Sequence, residues 1–158
     1  EEFGHKIKYI LDGGKCNIGL ESTIINLTKK PTILRLGGLV VSKIENVLGS
    51  KIKLNLNPKK KIAAGQSQLH YSPGIPLRMS VKEAKRNEAF ILIKKRKISL
   101  NNYYYLSKKN NLNEVAKNLY TCLRKIKNDG YKSIAVEKIS NRGLGKTIND
   151  RLYRASKY

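Results

Sequence analysis

The spacing of apolar residues divides the chain into short strands, one helix, an aperiodic stretch and a second set of strands and helices. Residues 7–11 are mostly apolar and read as a buried strand. Residues 23–27 (Thr-Ile-Ile-Asn-Leu) read as a second, Lys29-Lys30-Pro31 as the turn that ends it, and residues 32–34 as a third. The period then lengthens. Ser42 and Glu45 stand in the Ser-x-x-Glu spacing of a capping box, in which each side chain serves the other's backbone amide. Ile44, Val47 and Leu48 supply an apolar face, and Gly49 is placed to end the helix. From 50 to 76 no period is sustained. A lysine triplet at 59–61, Ala63-Ala64-Gly65 and three prolines mark this stretch as a linker.

Beyond it the pattern resumes. Strands are expected at 77–79, 89–93 and 103–106. A helix at 113–128 should bury Val115, Leu119, Cys122, Leu123 and Ile126, which recur at i, i+4, i+7, i+8 and i+11, with Gly130 beyond its end. Residues 133–139 read as a buried strand, and 145–156 as a last helix packed through Ile148, Leu152 and Ala155. Strands alternating with helices predict an α/β fold with a small parallel or mixed sheet of Rossmann-like type.

Charge changes the picture less than its size invites. The formal net charge is +22, and clustered cations would gain affinity for a phosphate backbone by releasing counterions. Here the cations are mostly lysine, spread along the whole chain among Asn and Ile, so they predict only weak, salt-sensitive contact with RNA. No apolar run approaches the roughly 18 residues of a membrane span. Cys16 and Cys122 lie far apart, and with His5 and His70 they give no zinc spacing and no metal site. A reduced, cytoplasmic protein is the simple reading.

Candidate chemistry concentrates at 11–37. Small polar groups at Glu21, Ser22 and Thr23 open one strand. The next delivers Arg35 close to Gly37 and Gly38, where a guanidinium and bare backbone amides can grip one anion. Elsewhere the signals are weaker. Gly145-Lys146-Thr147 looks like the end of a phosphate-binding loop, but Ser140 stands where the first glycine is required, so Lys146 and Arg151 read as solvated residues at a helix start. Tyr103, Tyr104 and Tyr105 beside Lys108 and Lys109 could stack on bases, although alternate burial in a strand is the commoner use of such a run. Lys94-Lys95-Arg96-Lys97 reads as an exposed turn. His70 lies in the irregular segment, where polar residues are frequently functional.

Several segments in order resemble the threonylcarbamoyl-AMP synthases of the Sua5 and YrdC type: LDGG at 11–14, GLESTI at 19–24, ILRLGG at 33–38, GQSQLHYSPGIPL at 65–77 and GLGKTINDRLYRA at 143–155. The last two resemble the longer, two-domain members. The resemblance implies the C-terminal part of a YrdC-like catalytic domain at 1–50, an interdomain linker at 51–76, and a small Rossmann-like domain at 77–158. It also implies a C-terminal fragment, inactive alone, because the family's long N-terminal portion with its ATP-holding lysine and arginine has no counterpart here.

By the same resemblance, the complete enzyme condenses L-threonine, bicarbonate and ATP, with Mg²⁺ as part of the ATP substrate and no tightly bound cofactor. A separate transferase complex then moves the threonylcarbamoyl group to tRNA. Ser22 and Thr23 are implied for threonine, and Arg35, Gln66, His70 and Tyr71 for ATP, the linker folding back over the site. The family signature at Asn149, Asp150 and Arg151 implies a structural role at the helix start. Leu36 and Ala64 stand where the family pattern has proline. The competing reading is a non-catalytic, basic RNA-binding or regulatory module, which would have no need of the GLEST, ILR and HY-x-P segments.

Overall fold

The structure is a computed structural model that describes residues 6–14, 16–67 and 71–157. It is a mixed α/β protein with two sheets. The first takes β1 (Ile24–Asn26), β2 (Thr32–Arg35) and β3 (Lys53–Leu54) in the order β1-β2-β3. β1 and β2 are antiparallel, pairing Ile25 with Ile33. β3 runs parallel to β2 after a crossover through α1 (Val41–Leu48). Ile33, Leu36, Ile44 and Ile52 close a small core between this sheet and α1.

The second sheet is wholly parallel. β4 (Leu77–Arg78), β5 (Ala89–Lys94), β6 (Tyr103–Ser107) and β7 (Ile134–Val136) lie in the order β4-β7-β5-β6, with α2 (Leu112–Asn128) connecting β6 to β7 and α3 (Leu144–Ala155) following β7. Side chains alternate across β5. Ala89 and Ile91 join Leu119, Leu123, Ile126, Ile148 and Leu152 in the main core, while Phe90 and Leu92 meet Ala135, Tyr103 and Tyr105 on the other face.

Several sequence expectations are corrected. Residues 7–11 form no strand. No described strand pairs with them, and Tyr9, Ile10 and Leu11 are exposed. The capping box does not form either. α1 starts at Val41, so Ser42 lies inside the helix, and Glu45 turns the other way to accept from Lys51 Nζ (2.9 Å) and the Ile52 amide (3.3 Å). Gly49 does end α1, in the left-handed conformation. The aperiodic 50–76 segment contributes β3, which pairing with β2 recruits despite its short length. Cys122 is only half-buried, so the buried face of α2 runs through Val115, Ala116, Leu119, Leu123 and Ile126. All three tyrosines of β6 are half-buried; Tyr103 packs edge-on to Phe90, and Tyr104 donates to Asp129 at 2.6 Å.

Helix α3 joins the two halves. Ile148, Leu152 and Ala155 face the parallel sheet as expected. Thr147, Asp150, Arg151 and Arg154 recur at helical spacing on a different face, which turns toward the first sheet and the 50–76 segment. Thr147 Oγ1 donates to the Gly37 carbonyl at 3.0 Å. Arg154 donates to the carbonyls of Ser67 (2.9 Å) and Leu56 (2.8 Å) and to Asn57 Oδ1 (3.2 Å). The expected solvated Arg151 is fully buried, because two carboxylates and one backbone carbonyl surround it. Thr147 is buried and engaged too, and a Cβ at Gly145 would sit 1.8 Å from the Ser140 carbonyl oxygen. The amides of Gly145 and Lys146 donate to the carbonyls of Arg142 and Gly143, so the loop spends them on its own backbone.

Candidate active site

The site is built where the start of β1 approaches the end of β2. A Cβ at Gly37 would lie 2.3 Å from backbone atoms of Glu21, Ser22 and Thr23, so only glycine admits this contact, and the Gly38 amide donates to the Glu21 carbonyl at 2.9 Å. The crossing brings Arg35 beside Ser22. Arg35 Nε donates to the Ser22 carbonyl and Nη2 to Ser22 Oγ, both at 3.1 Å, while Nη1 reaches the Ala64 carbonyl at 3.5 Å. Each terminal nitrogen keeps a second N–H. Arg35 has no carboxylate partner among the described residues, which leaves its charge for an external anion.

The neighbouring carboxylate is engaged elsewhere. Glu21 Oε2 accepts from Arg151 Nε at 3.0 Å, and the same guanidinium donates to Asp150 Oδ2 and the Leu36 carbonyl, each at 2.6 Å. The guanidinium carbon lies 4.8 Å from the centre of the Tyr71 ring, and Tyr120 stacks with Tyr71 at 5.5 Å. Burial opposes ionisation of Glu21, but the Tyr71 phenol and the Arg151 charge outweigh it and hold the carboxyl below its usual 4.5. Burial first, and then the Glu21 carboxylate, push the Tyr71 phenol up to about 12. Glu21 is thus a carboxylate matched by a buried cation, and it does not compete for Arg35.

These contacts are the setting for the comparisons with known proteins. A family model described as "Threonylcarbamoyl-AMP synthase, C-terminal domain" matches residues 39–157. The chain belongs to this family. A second model, described as "Telomere recombination", matches residues 1–37.

Among threonylcarbamoyl-AMP synthases, that of Pyrococcus abyssi is 33% identical over the whole of this chain. Those of Schizosaccharomyces pombe and Bacillus subtilis are 29% and 28% identical over 96% of it. The chain spans only about half the length of these relatives: 52%, 45% and 49%. The crystal structure of P. abyssi Sua5 complexed with L-threonine superposes with a TM-score of 0.82 at 29% identity, covering 99% of this chain and 51% of that one. A variant of the P. abyssi protein with a histidine and the adjacent tyrosine changed to alanine gives 0.75 at 26% identity, covering 93% and 48%.

In this threonylcarbamoyl-AMP synthase family chain, Arg35 and Tyr71 come together at Gly65, where a Cβ would lie 3.0 Å from Arg35 Cδ and 3.1 Å from the Tyr71 hydroxyl, and Ser22 joins them through its bond to Arg35. Thr23 turns away, its hydroxyl donating to the Leu39 carbonyl at 2.7 Å. Gln66 is buried and its amide is committed to backbone. Oε1 accepts from Ile62 and Ala63, and Nε2 donates to the carbonyls of Leu34 (3.0 Å) and Asn55 (3.3 Å). It pins the loop beside Arg35. His70 lies outside the described residues. Glu21 is named among the polar groups in the sequence and Arg151 in the family signature, but neither is assigned there to this site. The available signal was arginine itself, since only eight of the 33 cationic residues are arginine and Arg151 and Arg154 sit one turn apart on one helix.

Among the described residues no three His, Cys, Asp or Glu side chains cluster to hold a metal ion, and no helix is long and apolar enough to cross a membrane.

Proposed function

We propose that this chain forms part of the active site of an enzyme that makes threonylcarbamoyl-adenylate and pyrophosphate from L-threonine, bicarbonate and ATP. The observation that carries the proposal is the Arg35–Ser22 pair, a cation with no carboxylate partner among the described residues, locked to an exposed hydroxyl at the crossing of two strands. The likeness to a protein solved in complex with L-threonine supports threonine as the amino acid. In this reading the threonine amine takes up the bicarbonate carbon as a carbamate, with loss of water. A carbamate oxygen attacks the α-phosphorus of ATP, and the bond to the β-phosphate breaks as pyrophosphate leaves. Negative charge grows on the phosphate oxygens, which is where a preorganised guanidinium helps most.

Ser22 then contacts threonine and Arg35 the phosphates. Thr23 and Gln66 act by holding the backbone around them, through their bonds to Leu39, Leu34 and Asn55. His70 and Tyr71 are assigned to the nucleotide; they are the one His-Tyr pair in this chain, and an adjacent His-Tyr pair was chosen for replacement in the P. abyssi protein. Mg²⁺ enters with ATP. We divide the chain as a catalytic portion at 1–50, a linker at 51–76 and a Rossmann-like domain at 77–158. We place the enzyme in the cytoplasm, upstream of a transferase complex that modifies tRNA. The chain by itself is expected to be inactive, since it supplies one side of the site.

Incubation of the complete protein with L-threonine, bicarbonate and ATP·Mg²⁺, followed by mass spectrometry, tests the proposal. Threonylcarbamoyl-adenylate is expected, and is expected to be missing when threonine is omitted. ATP turnover without that adduct would refute it.

A further inference from the structure

We infer that Arg151, on the last helix, is a positioning residue of this active site, clasping Glu21 beside Ser22 and the ring of Tyr71 in one fixed arrangement. The inference rests on the proposed reaction for its activity readout, but its geometry stands apart from it.

Three separated stretches of chain converge on one guanidinium. Glu21 stands at the approach to β1, Leu36 follows Arg35 at the end of β2, and Tyr71 comes from the far end of the linker. Each contact uses a different part of the group. Nε meets the Glu21 carboxylate, Nη2 the Leu36 carbonyl and Nη1 Asp150, while the guanidinium carbon lies over the Tyr71 ring. Only a planar, multidentate cation can make all four; an ammonium cannot.

Stability does not explain the choice. A buried ion pair is often matched or exceeded by apolar residues of the same volume, because desolvation cancels most of the Coulomb gain. Arg154, one turn later, shows what a structural arginine does here: outside its own helix it reaches two backbone carbonyls and an asparagine of the 56–67 stretch. Arg151 instead reaches the side chains of Glu21 and Tyr71, which border Ser22 and Gly65.

Tyr71 carries a second, independent mark of positioning. Its φ is 65°, the left-handed region that a bulky residue avoids, and such a conformation persists only where the surroundings over-determine it. Arg151, 4.8 Å from the ring centre, and Tyr120, stacked on the same ring at 5.5 Å, supply that constraint. A residue of the C-terminal unit therefore sets where a linker residue stands over the site, and this gives that unit a part in catalysis without contact with substrate.

The test is a double-mutant comparison in the complete protein. Arg151→Met and Arg151→Lys are each expected to lower kcat/KM for adenylate formation about tenfold or more in the parent, but less than about twofold when Tyr71 is already alanine, because groups acting through one contact are not additive. Amide hydrogen exchange at 71–75 is expected to accelerate in both variants, with exchange in β5 unchanged. Losses that multiply fully in the Tyr71→Ala background, or unchanged exchange at 71–75, would overturn the clasp. Should Arg151→Met fail to fold, Glu21→Gln, which keeps a hydrogen-bond acceptor and removes the charge, carries the same comparison. If the parent makes no adenylate, the functional proposal fails while the exchange measurement still decides the clasp.

Discussion

Arg35 and Ser22 meet twice, through the serine carbonyl and through its hydroxyl, both at 3.1 Å. One side chain thus fixes both the backbone and the rotamer of its neighbour across the sheet, and each of its terminal nitrogens keeps a second N–H. Arg35→Lys keeps the charge but loses the fork, and is expected to reduce adenylate formation by the complete protein about tenfold; Arg35→Met should cost about a hundredfold, in the range seen when a transition-state donor is removed. Steady-state pyrophosphate release compares the two. Equal rates for the parent and the Arg35→Met variant would exclude a phosphate role.

Gly37→Ala should unfold the first sheet. Its Cβ would meet three backbone atoms at 2.3 Å, and backbone cannot move aside as a side chain tip can. A destabilisation of about 3 kcal/mol is expected, against a near-neutral Gly13→Ala, where nothing lies within 4 Å. Urea unfolding of the two variants measures both.

Gln66→Leu is expected to cost about 2 kcal/mol or more, because it strands two amides and two carbonyls that the glutamine satisfies. The same urea experiment reads it. If Gln66 served ATP alone, stability would stay at the parent value while the KM for ATP rose.

Acid should weaken the junction between β1 and α3. The folded pKa of Glu21 lies below 4.5, so the folded state binds fewer protons than the unfolded state in that range. The stabilisation is present above the unfolded pKa and is lost as pH falls below it through the folded value. Glu21→Gln should flatten that part of the stability curve. Tyr71 has the opposite sign: with its folded pKa pushed up to about 12, its contribution is full below pH 10 and is lost as pH rises from there toward 12. Absorbance titration of the phenols should show late-ionising tyrosines, one fewer in Tyr71→Phe.

The parts of this fold that were legible in the sequence are those decided locally. α2 announced itself through Val115, Leu119, Leu123 and Ile126 at helical spacing, and Gly49 through the left-handed turn it supplies. β3 could not be read, because two residues become a strand only when β2 lies beside them. The capping box at Ser42 failed for a related reason: Glu45 had a better partner in Lys51 and Ile52, beyond the far end of the helix. Of the site, Ser22 and Arg35 were visible as polar groups on adjoining strands. The pairing of Glu21 with Arg151 was not, since it spans 130 positions and a charged residue on a helix ordinarily reads as solvated. Burial on both faces of α3 reverses that expectation, and no single hydrophobic period encodes two buried faces.

Threonine-dependent pyrophosphate release from ATP·Mg²⁺ by the complete protein, measured for the parent and Arg35→Met side by side, is the most direct test of the proposed chemistry. Release that requires both L-threonine and bicarbonate and falls about a hundredfold in the variant is the expected result. Release that is indifferent to threonine, or equal in the two proteins, would contradict it.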